Sequence, residues 1–338
     1  MDPIAPADPR LLGLHDWLRR QLPAPFTVRP ASNDASFRRY FRVRSEDRSW
    51  IAMDAPPERE PVGPFLAVAR VLRGLELNAP RIHAADVARG YLLLDDLGST
   101  SYLDALGEDN VDALYGDALA ALATLQEAHV PRDLRPYDRT LIEDELRLFP
   151  QWLLGEHLGL RLDPAEQTLL HAVFDELVRN MLTQPRSWVH RDYHSRNLMV
   201  TPERNPGILD FQDAVEGPVT YDLVSLVKDC YIAWPRYRIE AWARAHLRRL
   251  QECGRVGPQV SGEQFLRWMD LTGMQRHIKV LGIFARLHHR DGRDGYLKDL
   301  PLVLAYVLDV CGRYPEFRQF GALLERRVTP HIRPPRLP

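Results

Sequence analysis

The chain has 338 residues, 45% of them hydrophobic and 27% charged, which is enough for the core of a globular protein with one or two domains. The formal net charge of −2 excludes a strongly basic protein and gives no electrostatic reason to expect binding to nucleic acid or to a membrane surface. Cys230, Cys253 and Cys311 are widely spaced and odd in number, so we expect neither a disulfide framework nor a cysteine zinc site. These features are typical of a protein of the reducing cytoplasm.

The N-terminus lacks the basic stretch followed by an apolar stretch that marks a secretory signal. No segment has the roughly 18 consecutive apolar residues that are needed to span a bilayer. We therefore predict a chain without membrane segments, and nothing in its composition indicates an obligate protein partner.

The first hundred residues predict a small α+β lobe. Leu11, Leu14, Leu18 and Leu22 recur at helical spacing and predict a short amphipathic helix. Five short segments rich in aromatic and β-branched residues follow, and their spacing predicts an antiparallel sheet. These segments are Phe26–Val28, Arg38–Val43, Trp50–Asp54, Ile82–Ala84 and Tyr91–Leu94. An apolar stripe in Phe65–Leu72 predicts a helix packed on that sheet.

Long helical patterns dominate from about Asp109 onward and predict a second, larger and mainly helical lobe. The patterns cover Ala113–Ala128, Leu141–His157, Ala165–Leu182, Tyr237–Gln251 and Glu263–His288. The strand that ends at Leu94 is followed by a break at Gly98, which is the natural joint between the lobes. The fold class is therefore α+β, with a small antiparallel-sheet lobe at residues 1–96 and a helical lobe at residues 97–338.

A small hairpin interrupts the helices of the second lobe. Two short apolar segments, Leu198–Val200 and Gly207–Leu209, flank a turn-rich stretch. The chain enters this hairpin through His190–Asn197 and leaves it through Leu209–Asp213, and both flanks are rich in polar residues. A hairpin of this kind is unusual among helices and indicates a site of chemistry.

The polar residues around the hairpin follow the order of the catalytic and metal-binding elements of kinases. An H-R-D sequence that begins at His190 is followed, five residues after its aspartate, by Asn197, then by the hairpin and a D-F pair at Asp210. A hydroxyl nucleophile needs a carboxylate that orients it and accepts its proton, and Asp192 provides this group. Magnesium prefers hard oxygen ligands, which Asn197 and Asp210 can supply. We predict phosphoryl transfer with Asp192, Asn197 and Asp210 as catalytic residues and with Asn197 and Asp210 as metal ligands.

Two other interpretations of the motif fit the sequence less well. A single Asp or Asn beside a turn is more often a cap than a ligand, but the ordered set of residues is much harder to obtain by chance. No G-x-x-x-x-G-K-[ST] sequence occurs, so a P-loop nucleotide site is not the rival explanation.

On these motifs the chain resembles the aminoglycoside phosphotransferase and choline kinase group of protein-kinase-like enzymes. Within that group it is most similar to the sugar kinases that phosphorylate N-acetylmuramate and N-acetylglucosamine at the anomeric C1 hydroxyl. The resemblance covers nearly the whole chain, and the last of its segments is the most specific. The segments are Ser32–Val43, Met53–Glu58, Leu93–Gly98, His190–Asn197 and Asp210–Leu223.

The resemblance implies a bilobal protein-kinase-like fold with ATP between the lobes and Mg²⁺ as the metal. Residues 1–96 would then be the nucleotide-binding lobe and residues 97–338 the catalytic and substrate lobe. The implied reaction is transfer of the γ-phosphoryl group of ATP to the C1 hydroxyl of N-acetylmuramate or N-acetylglucosamine, in the recycling of cell-wall sugars.

The resemblance also implies roles for individual residues. A loop over the ATP phosphates would contain Asn33, Asp34, Ala35, Ser36, Phe37 and Arg38, and the adenine edge would be lined by the backbone of Leu94, Asp95, Asp96 and Leu97. His190 and Asp222 would support the catalytic loop. Sugar contacts are expected from residues next to the catalytic and metal residues, namely Tyr193, His194, Gln212 and Asp213.

The chain departs from the kinase pattern at two places. The phosphate loop contains no G-x-G-x-x-G, and Met53 occupies the position where a kinase strand normally offers its phosphate-pairing lysine. Methionine cannot neutralise a phosphate. We therefore expect the charge to come from magnesium or from Arg38, Arg39 or Arg42.

The acceptor is the least determined feature. A pocket for a polycationic aminoglycoside should present several carboxylates, whereas cationic side chains crowd one helical segment. These are Arg276, His277, Lys279, Arg286, His288, His289 and Arg290. A cationic rim suits an acceptor with a carboxylate, such as the lactyl group of N-acetylmuramate, although a basic run is usually a solvated face. His288 and His289 are adjacent and should point to different faces of the helix, so we do not expect a metal site there.

Two alternatives remain open. One is a kinase for an aminoglycoside, a choline-like amine or another hydroxyl compound. The other is a regulatory ATP-binding pseudokinase, which Met53 and the glycine-poor loop favour. The presence of Asp192, Asn197 and Asp210 counts against it.

Overall fold

The computed structural model describes residues 8–23, 25–31 and 37–338, so the predicted phosphate-loop residues Asn33, Asp34, Ala35 and Ser36 lie outside the described residues. The described chain forms two compact units. The first contains the residues up to Thr100 together with Met199–Asp213. The second contains Ser101–Leu198 and Ala214–Pro338.

The first unit is built on a five-stranded antiparallel sheet. Its elements are α1 (Pro9–Gln21), β1 (Thr27–Pro30), β2 (Arg39–Ser45), β3 (Arg48–Asp54), α2 (Gly63–Gly74), β4 (Ile82–Asp86) and β5 (Tyr91–Asp95). The strands lie in the order β1-β2-β3-β5-β4, and each neighbouring pair is antiparallel. The five predicted strands and the two predicted helices of this lobe are confirmed.

Helix α1 packs on the sheet through its predicted leucine stripe. Leu14, Trp17 and Leu18 are buried and share an apolar cluster with Val43 and Leu93 of the sheet. The burial of these side chains is the main force that holds α1 in place, at roughly 1.5–3 kcal/mol for each large side chain.

The second unit is mainly helical. Its helices are α3 (Tyr102–Ala105), α4 (Val111–Glu127), α5 (Arg139–Leu148), α6 (Pro164–Leu182), α7 (Tyr221–Val227), α8 (Arg236–Glu252), α9 (Gly262–Asp291), α10 (Leu300–Arg313) and α11 (Arg318–Arg327). A π-helix (Phe149–His157) follows α5, and two 3₁₀ helices cover Asp294–Asp299 and Pro315–Phe317. Strand β6 (Arg186–Val189) pairs antiparallel with β9 (Val215–Pro218). A further pair, β7 (Leu198–Met199) and β8 (Gly207–Ile208), forms the predicted hairpin.

The long helices of the second unit are confirmed, but one differs from its prediction. The segment Leu141–His157 was expected as one α-helix, and it changes to a π-helix after Leu148. Pro150 lies at this change, and because proline has no backbone N–H it interrupts the α-helical hydrogen-bond ladder. Within the described residues, no helix combines the length and the apolar character needed to cross a lipid bilayer.

The hairpin, predicted as part of the second lobe, groups with the first unit instead. The backbone N–H of Ile208 donates to the carbonyl of Asn78 over 2.9 Å, and the amide of Asn78 donates to Thr201 Oγ1 over 3.2 Å. A Cβ on Gly207 would lie only 3.0 Å from Leu97 Cδ1, so glycine allows β8 to approach the segment after β5. These contacts join residues far apart in the chain, and no local pattern indicates them.

Helix α9 is the central helix of the second unit, and most of its residues are buried. A Cβ on Gly282 would lie 2.4 Å from the backbone carbon of Leu148, so only glycine allows α9 to cross the junction of α5 and the π-helix this closely. Its burial also encloses charged side chains, among them Asp270, Arg276 and Lys279. Buried charges of this kind are stable only when they have partners.

Asp270 is the centre of a buried ion cluster. Its carboxylate accepts from Lys228 Nζ over 2.7 Å, from Arg236 Nη1 and Nη2 over 2.6 and 2.9 Å, and from the Tyr314 hydroxyl over 2.9 Å. Burial alone would raise the pKa of Asp270, but the charges of Lys228 and Arg236 outweigh it and lower the pKa. Its contribution to stability is therefore complete above the ordinary pKa of an aspartate and is lost as the pH falls towards the lower pKa of the folded state.

We expect Asp270→Asn to lower the free energy of unfolding by about 3–5 kcal/mol, because it leaves the buried ammonium of Lys228 without its counter-charge. Chemical denaturation at neutral pH measures the loss. The matched control is Asp309→Asn, which removes a 2.8 Å pair with the more exposed Arg313 and should cost about 0–1 kcal/mol. Equal effects of the two changes would contradict the structural role of the Asp270 cluster.

Candidate active site

The H-R-D segment forms a loop between β6 and β7, and a buried carboxylate holds it. Asp222, at the start of α7, accepts from the backbone N–H of His190 over 2.6 Å and from that of Arg191 over 3.0 Å. Arg191 has a positive φ of 77°, which is unusual for a residue other than glycine. Asp222 is completely buried, so its two hydrogen bonds are well placed to stabilise this strained turn.

Asp192 lies half-buried in this loop, and cations surround it. Burial alone would raise the pKa of Asp192, but nearby positive charges, first that of Lys279 and also that of Arg276, lower it. The carboxylate is therefore ionised at neutral pH. It can orient a hydroxyl and receive a proton from it, but it is a weak base.

A network of buried charged and polar side chains contacts the H-R-D loop through Arg191. Glu145 of α5 pairs with Arg191 Nη2 over 2.6 Å and with Lys279 Nζ over 3.1 Å, and it accepts a short hydrogen bond from the Tyr137 hydroxyl. Lys279 also donates to the Tyr221 hydroxyl over 3.0 Å. Burial alone would raise the pKa of Glu145, but the charges of Lys279 and Arg191 lower it. Sequence reasoning missed Glu145, since nothing local to α5 marks it.

The C-terminal end of the loop is held by a hydrogen bond within the loop and by a buried carboxylate that the sequence analysis did not identify. Asn197 Nδ2 donates to the carbonyl of Asp192 over 3.0 Å, so the predicted base and the predicted metal ligand belong to one hydrogen-bonded turn. Asp229, which is completely buried, accepts from the backbone N–H of Ser195 over 2.9 Å and from its hydroxyl over 2.5 Å. With Asp222, Asp229 anchors the loop at both ends.

The two predicted sugar contacts in this loop differ in their surroundings. Tyr193 is completely buried, and its hydroxyl donates to the carbonyl of Ala118 over 2.8 Å, so its side chain holds the loop on α4 and exposes no atom to a sugar. His194 is buried against Tyr231, and its Nδ1 has no hydrogen-bond partner among the described residues. Burial lowers the pKa of His194, so the ring is neutral at pH 7.

The D-F segment lies in the first unit, after β8. Asp210 has a positive φ of 60°, and its Oδ1 accepts from Gln212 Nε2 over 2.8 Å. The ring of Phe211 packs on Phe65 of α2 with 4.7 Å between the centroids, which anchors the segment. Gln212 also lies 3.5 Å from Asp213 Oδ2, and its own Oε1 is buried without a hydrogen-bond partner in the described part of the chain.

Side-chain contacts hold the predicted adenine segment, Leu94–Leu97, at the end of β5. Leu94 is buried in β5, and Asp95 contacts His83 Nε2 over 2.7 Å. Asp96 accepts from Arg42 over 2.7 and 3.0 Å and from the backbone of Gly98 over 3.1 Å. This network fixes the path of the chain through Leu97 and explains why Asp96 is mostly buried.

The three arginines considered as replacements for the kinase lysine all have carboxylate partners. Arg42 pairs with Asp96 and Arg39 with Asp54, while Arg38 Nη2 lies 2.7 Å from Glu60 Oε2. Met53 is completely buried in β3. Phe37, the first described residue of the predicted phosphate loop, is exposed, and Arg59 lies over its ring.

The cationic run on α9 does not form one rim. Arg276 is buried and donates to Cys230 Sγ over 3.1 Å, and His277 contacts the carbonyl of Lys228 over 2.9 Å. Lys279 points to Glu145 instead. Neighbouring positions of this helix therefore face different partners, and the cationic side chains are not one continuous group.

Comparison with known proteins first defines the fold as that of the aminoglycoside phosphotransferases. The structure of APH(2'')-Ib in its ADP-bound form matches with a TM-score of 0.57 at 14% identity, covering 88% of this chain and 98% of that chain. The family model described as "Phosphotransferase enzyme family" matches residues 27–259, and this chain belongs to that family. The resemblance inferred from the motifs, the α+β kinase-like fold and the assignment as a kinase are thereby confirmed.

Two relatives are similar over almost their whole length. A protein of Pseudomonas aeruginosa is 45% identical and one of Pseudomonas putida is 44% identical, each over 94% of this chain and 96% of the relative. Both are named N-acetylmuramate/N-acetylglucosamine kinase.

Proposed function

We propose that this chain transfers the γ-phosphoryl group of ATP to the anomeric C1 hydroxyl of N-acetylmuramate or N-acetylglucosamine. The names and the 44–45% identity of the two relatives support the sugar as the acceptor. The observation in the structure that carries the proposal is the loop of Asp192 and Asn197, hydrogen-bonded to itself and anchored by Asp222. We also propose a cytoplasmic location, because the reaction consumes ATP, and a role in recycling cell-wall sugars.

Asp192 is proposed to orient the sugar hydroxyl and to accept its proton late in the transfer. The low pKa of Asp192 makes it a weak base. An anomeric hydroxyl is more acidic than an ordinary alcohol, so it needs less help from a base. The electrostatics of the loop therefore match this acceptor.

The proposed ligands of magnesium are the carboxylate of Asp210 and the amide oxygen of Asn197. Both are hard oxygen donors, which fits Mg²⁺ and not a soft metal. The amide nitrogen of Asn197 donates to the Asp192 carbonyl, which holds the side chain in the catalytic loop, and the amide oxygen is the atom proposed as the ligand because only it can donate a lone pair to a hard cation. When bound with ATP, magnesium neutralises charge on the phosphates. Gln212 steadies the carboxylate of Asp210 through its 2.8 Å hydrogen bond.

Arg38 is our candidate for the positive charge that Met53 cannot supply. It is the last residue of the predicted phosphate loop, and its pair with Glu60 resembles the lysine–glutamate pair of kinases in chemistry. Arg39 and Arg42 are less suited, because Asp54 and Asp96 each hold them through two hydrogen bonds. The backbone of Leu94–Leu97 remains the proposed adenine edge.

His194 and Gln212 are the proposed polar contacts to the acceptor. Each has a buried atom without a hydrogen-bond partner in the described chain, Nδ1 of His194 and Oε1 of Gln212, and a buried polar atom of this kind is costly unless a ligand satisfies it. Asp213 remains a proposed contact with less support. Tyr193 is proposed only as a structural residue.

The proposal is tested by measuring ADP release from ATP and magnesium with N-acetylmuramate, N-acetylglucosamine, kanamycin and choline, each beside a control without acceptor. We expect turnover on the N-acetyl sugars and none on their methyl glycosides, in which the C1 hydroxyl is blocked. Turnover on kanamycin or choline, and not on the N-acetyl sugars, would show that the proposed acceptor is wrong and that the chain phosphorylates a different hydroxyl compound. Measurable ATP binding with no turnover on any acceptor would favour the pseudokinase.

A further inference from the structure

Three histidines meet where the π-helix and α9 both end. His157 is the last residue of the π-helix, and His288 and His289 lie in the last turn of α9. One ring nitrogen from each lies within 4.8 Å of the other two. His157 Nδ1 and His289 Nε2 are 3.1 Å apart. The two adjacent histidines were expected to point to different faces of the helix, but the rings of both lie beside that of His157.

The distances are close to those of a metal site. Zinc binds imidazole nitrogen at about 2.0–2.1 Å in a tetrahedron, which separates two such nitrogens by roughly 3.4 Å. The His157–His289 pair is within a few tenths of an ångström of that value. The ring nitrogen of His288 lies within 4.8 Å of the other two, and because this ring is partly exposed its rotation can bring the nitrogen closer to them.

A carboxylate supports one of the three rings. Asp294 Oδ1 lies 2.6 Å from His288 Nδ1. An N–H on Nδ1 that donates to this carboxylate would leave Nε2 as the ring nitrogen of His288 that can bind metal. Metal-ligating histidines commonly have such a carboxylate behind them.

We propose that His157, His288 and His289 bind one divalent transition-metal ion of the zinc type, with water as the fourth ligand. Three imidazoles without a carboxylate ligand suit zinc and similar borderline metals and not magnesium, so the site is separate from the metal of phosphoryl transfer. Two helix C-termini meet here, and the partial negative charge of helix ends favours a cation. The positive charge of Arg290 is offset by its hydrogen bonds to Asp291 over 2.8 and 3.0 Å.

A bound ion would join two elements that the chain connects only through long segments. It would link the end of the π-helix at His157 to the end of α9. A ligand that binds the folded chain and not the unfolded chain stabilises the folded state by mass action. The metal should therefore raise the temperature of unfolding.

The test uses the full chain without a polyhistidine tag. The protein is treated with chelator and then dialysed into excess magnesium, so that magnesium occupies any site built from oxygen ligands before zinc is added. Zinc affinity is measured by competition with a chromophoric chelator, and Co²⁺ replaces zinc for a visible spectrum. We expect one equivalent of zinc, a tetrahedral Co²⁺ spectrum and a higher temperature of unfolding with zinc.

The variants His157→Gln and His289→Gln should weaken zinc binding by at least about 100-fold, since the loss of a ligand exceeds the effect of changing an outer partner. Asp294→Asn should weaken it by about tenfold. The matched control is His171→Gln, an exposed histidine of α6 away from the cluster, which should bind zinc as the original chain does. The proposal is overturned if no stoichiometric zinc binds, or if His157→Gln and His289→Gln leave the affinity and the Co²⁺ spectrum unchanged.

Discussion

Replacing Asp192 by asparagine is expected to lower turnover by about 10²- to 10⁴-fold while ATP binding changes little. The substitution keeps the size of the side chain and its place in the loop, but it removes the negative charge that orients the hydroxyl and accepts its proton. The carboxylate is ionised at neutral pH because Lys279 and other cations lower its pKa. Steady-state assays of ADP release and calorimetric titration with ATP measure the two quantities.

The control for this variant is Asp133→Asn, which makes the same chemical change at an exposed turn after α4. It should turn over at the original rate. Thermal unfolding of the Asp192→Asn protein shows whether the cations around the loop still permit folding. Unchanged turnover in a folded Asp192→Asn protein would remove Asp192 from the proposed role.

The second large effect concerns Asp210. We expect Asp210→Ala to abolish turnover and the magnesium-dependent part of ATP binding, because the change removes the carboxylate proposed as a metal ligand. Alanine is also poorly suited to the φ of 60° at this position, so Asp210→Asn is the better matched variant. Asparagine tolerates this backbone conformation and retains a weaker oxygen ligand. The Asp210→Asn protein should therefore bind ATP, but magnesium should increase its affinity for ATP less than it does in the original chain.

Titration with ATP, with and without magnesium, separates the metal role from a general loss of structure. Asp47→Ala, in the exposed turn between β2 and β3, is the control in the same unit and should keep the full gain from magnesium. Full activity of Asp210→Ala would contradict its assignment as a metal ligand. A loss of ATP binding that is equal with and without magnesium would point to a structural role instead.

The structure also explains why the chain has a methionine where the kinase pattern has a lysine. Met53 is a core residue of β3, and its place in the sheet opposite Leu92 accounts for an apolar side chain there. Arg39 and Arg42 are held by carboxylates that stabilise the first unit. Arg38 is thus the arginine for which a phosphate role is proposed.

Local patterns in the sequence were sufficient for the sheet and the long helices, because side-chain periodicity and turn residues act over a few positions. The order of Asp192, Asn197 and Asp210 was likewise sufficient for the class of chemistry, since these residues lie within one short segment. The family assignment followed from the same residues. The roles of the sugar-contact residues and of the phosphate loop stay predictions.

Tertiary structure alone decided what holds the site. Glu145 meets Arg191 across 46 residues and Asp229 meets Ser195 across 34, and neither carboxylate lies in a pattern that distinguishes it from a surface residue. The same is true of His157, which brings His288 and His289 into one cluster only because the π-helix and α9 end together. The physical reason is that periodicity determines which face of an element is buried, whereas the identity of a buried polar partner depends on which elements pack against each other.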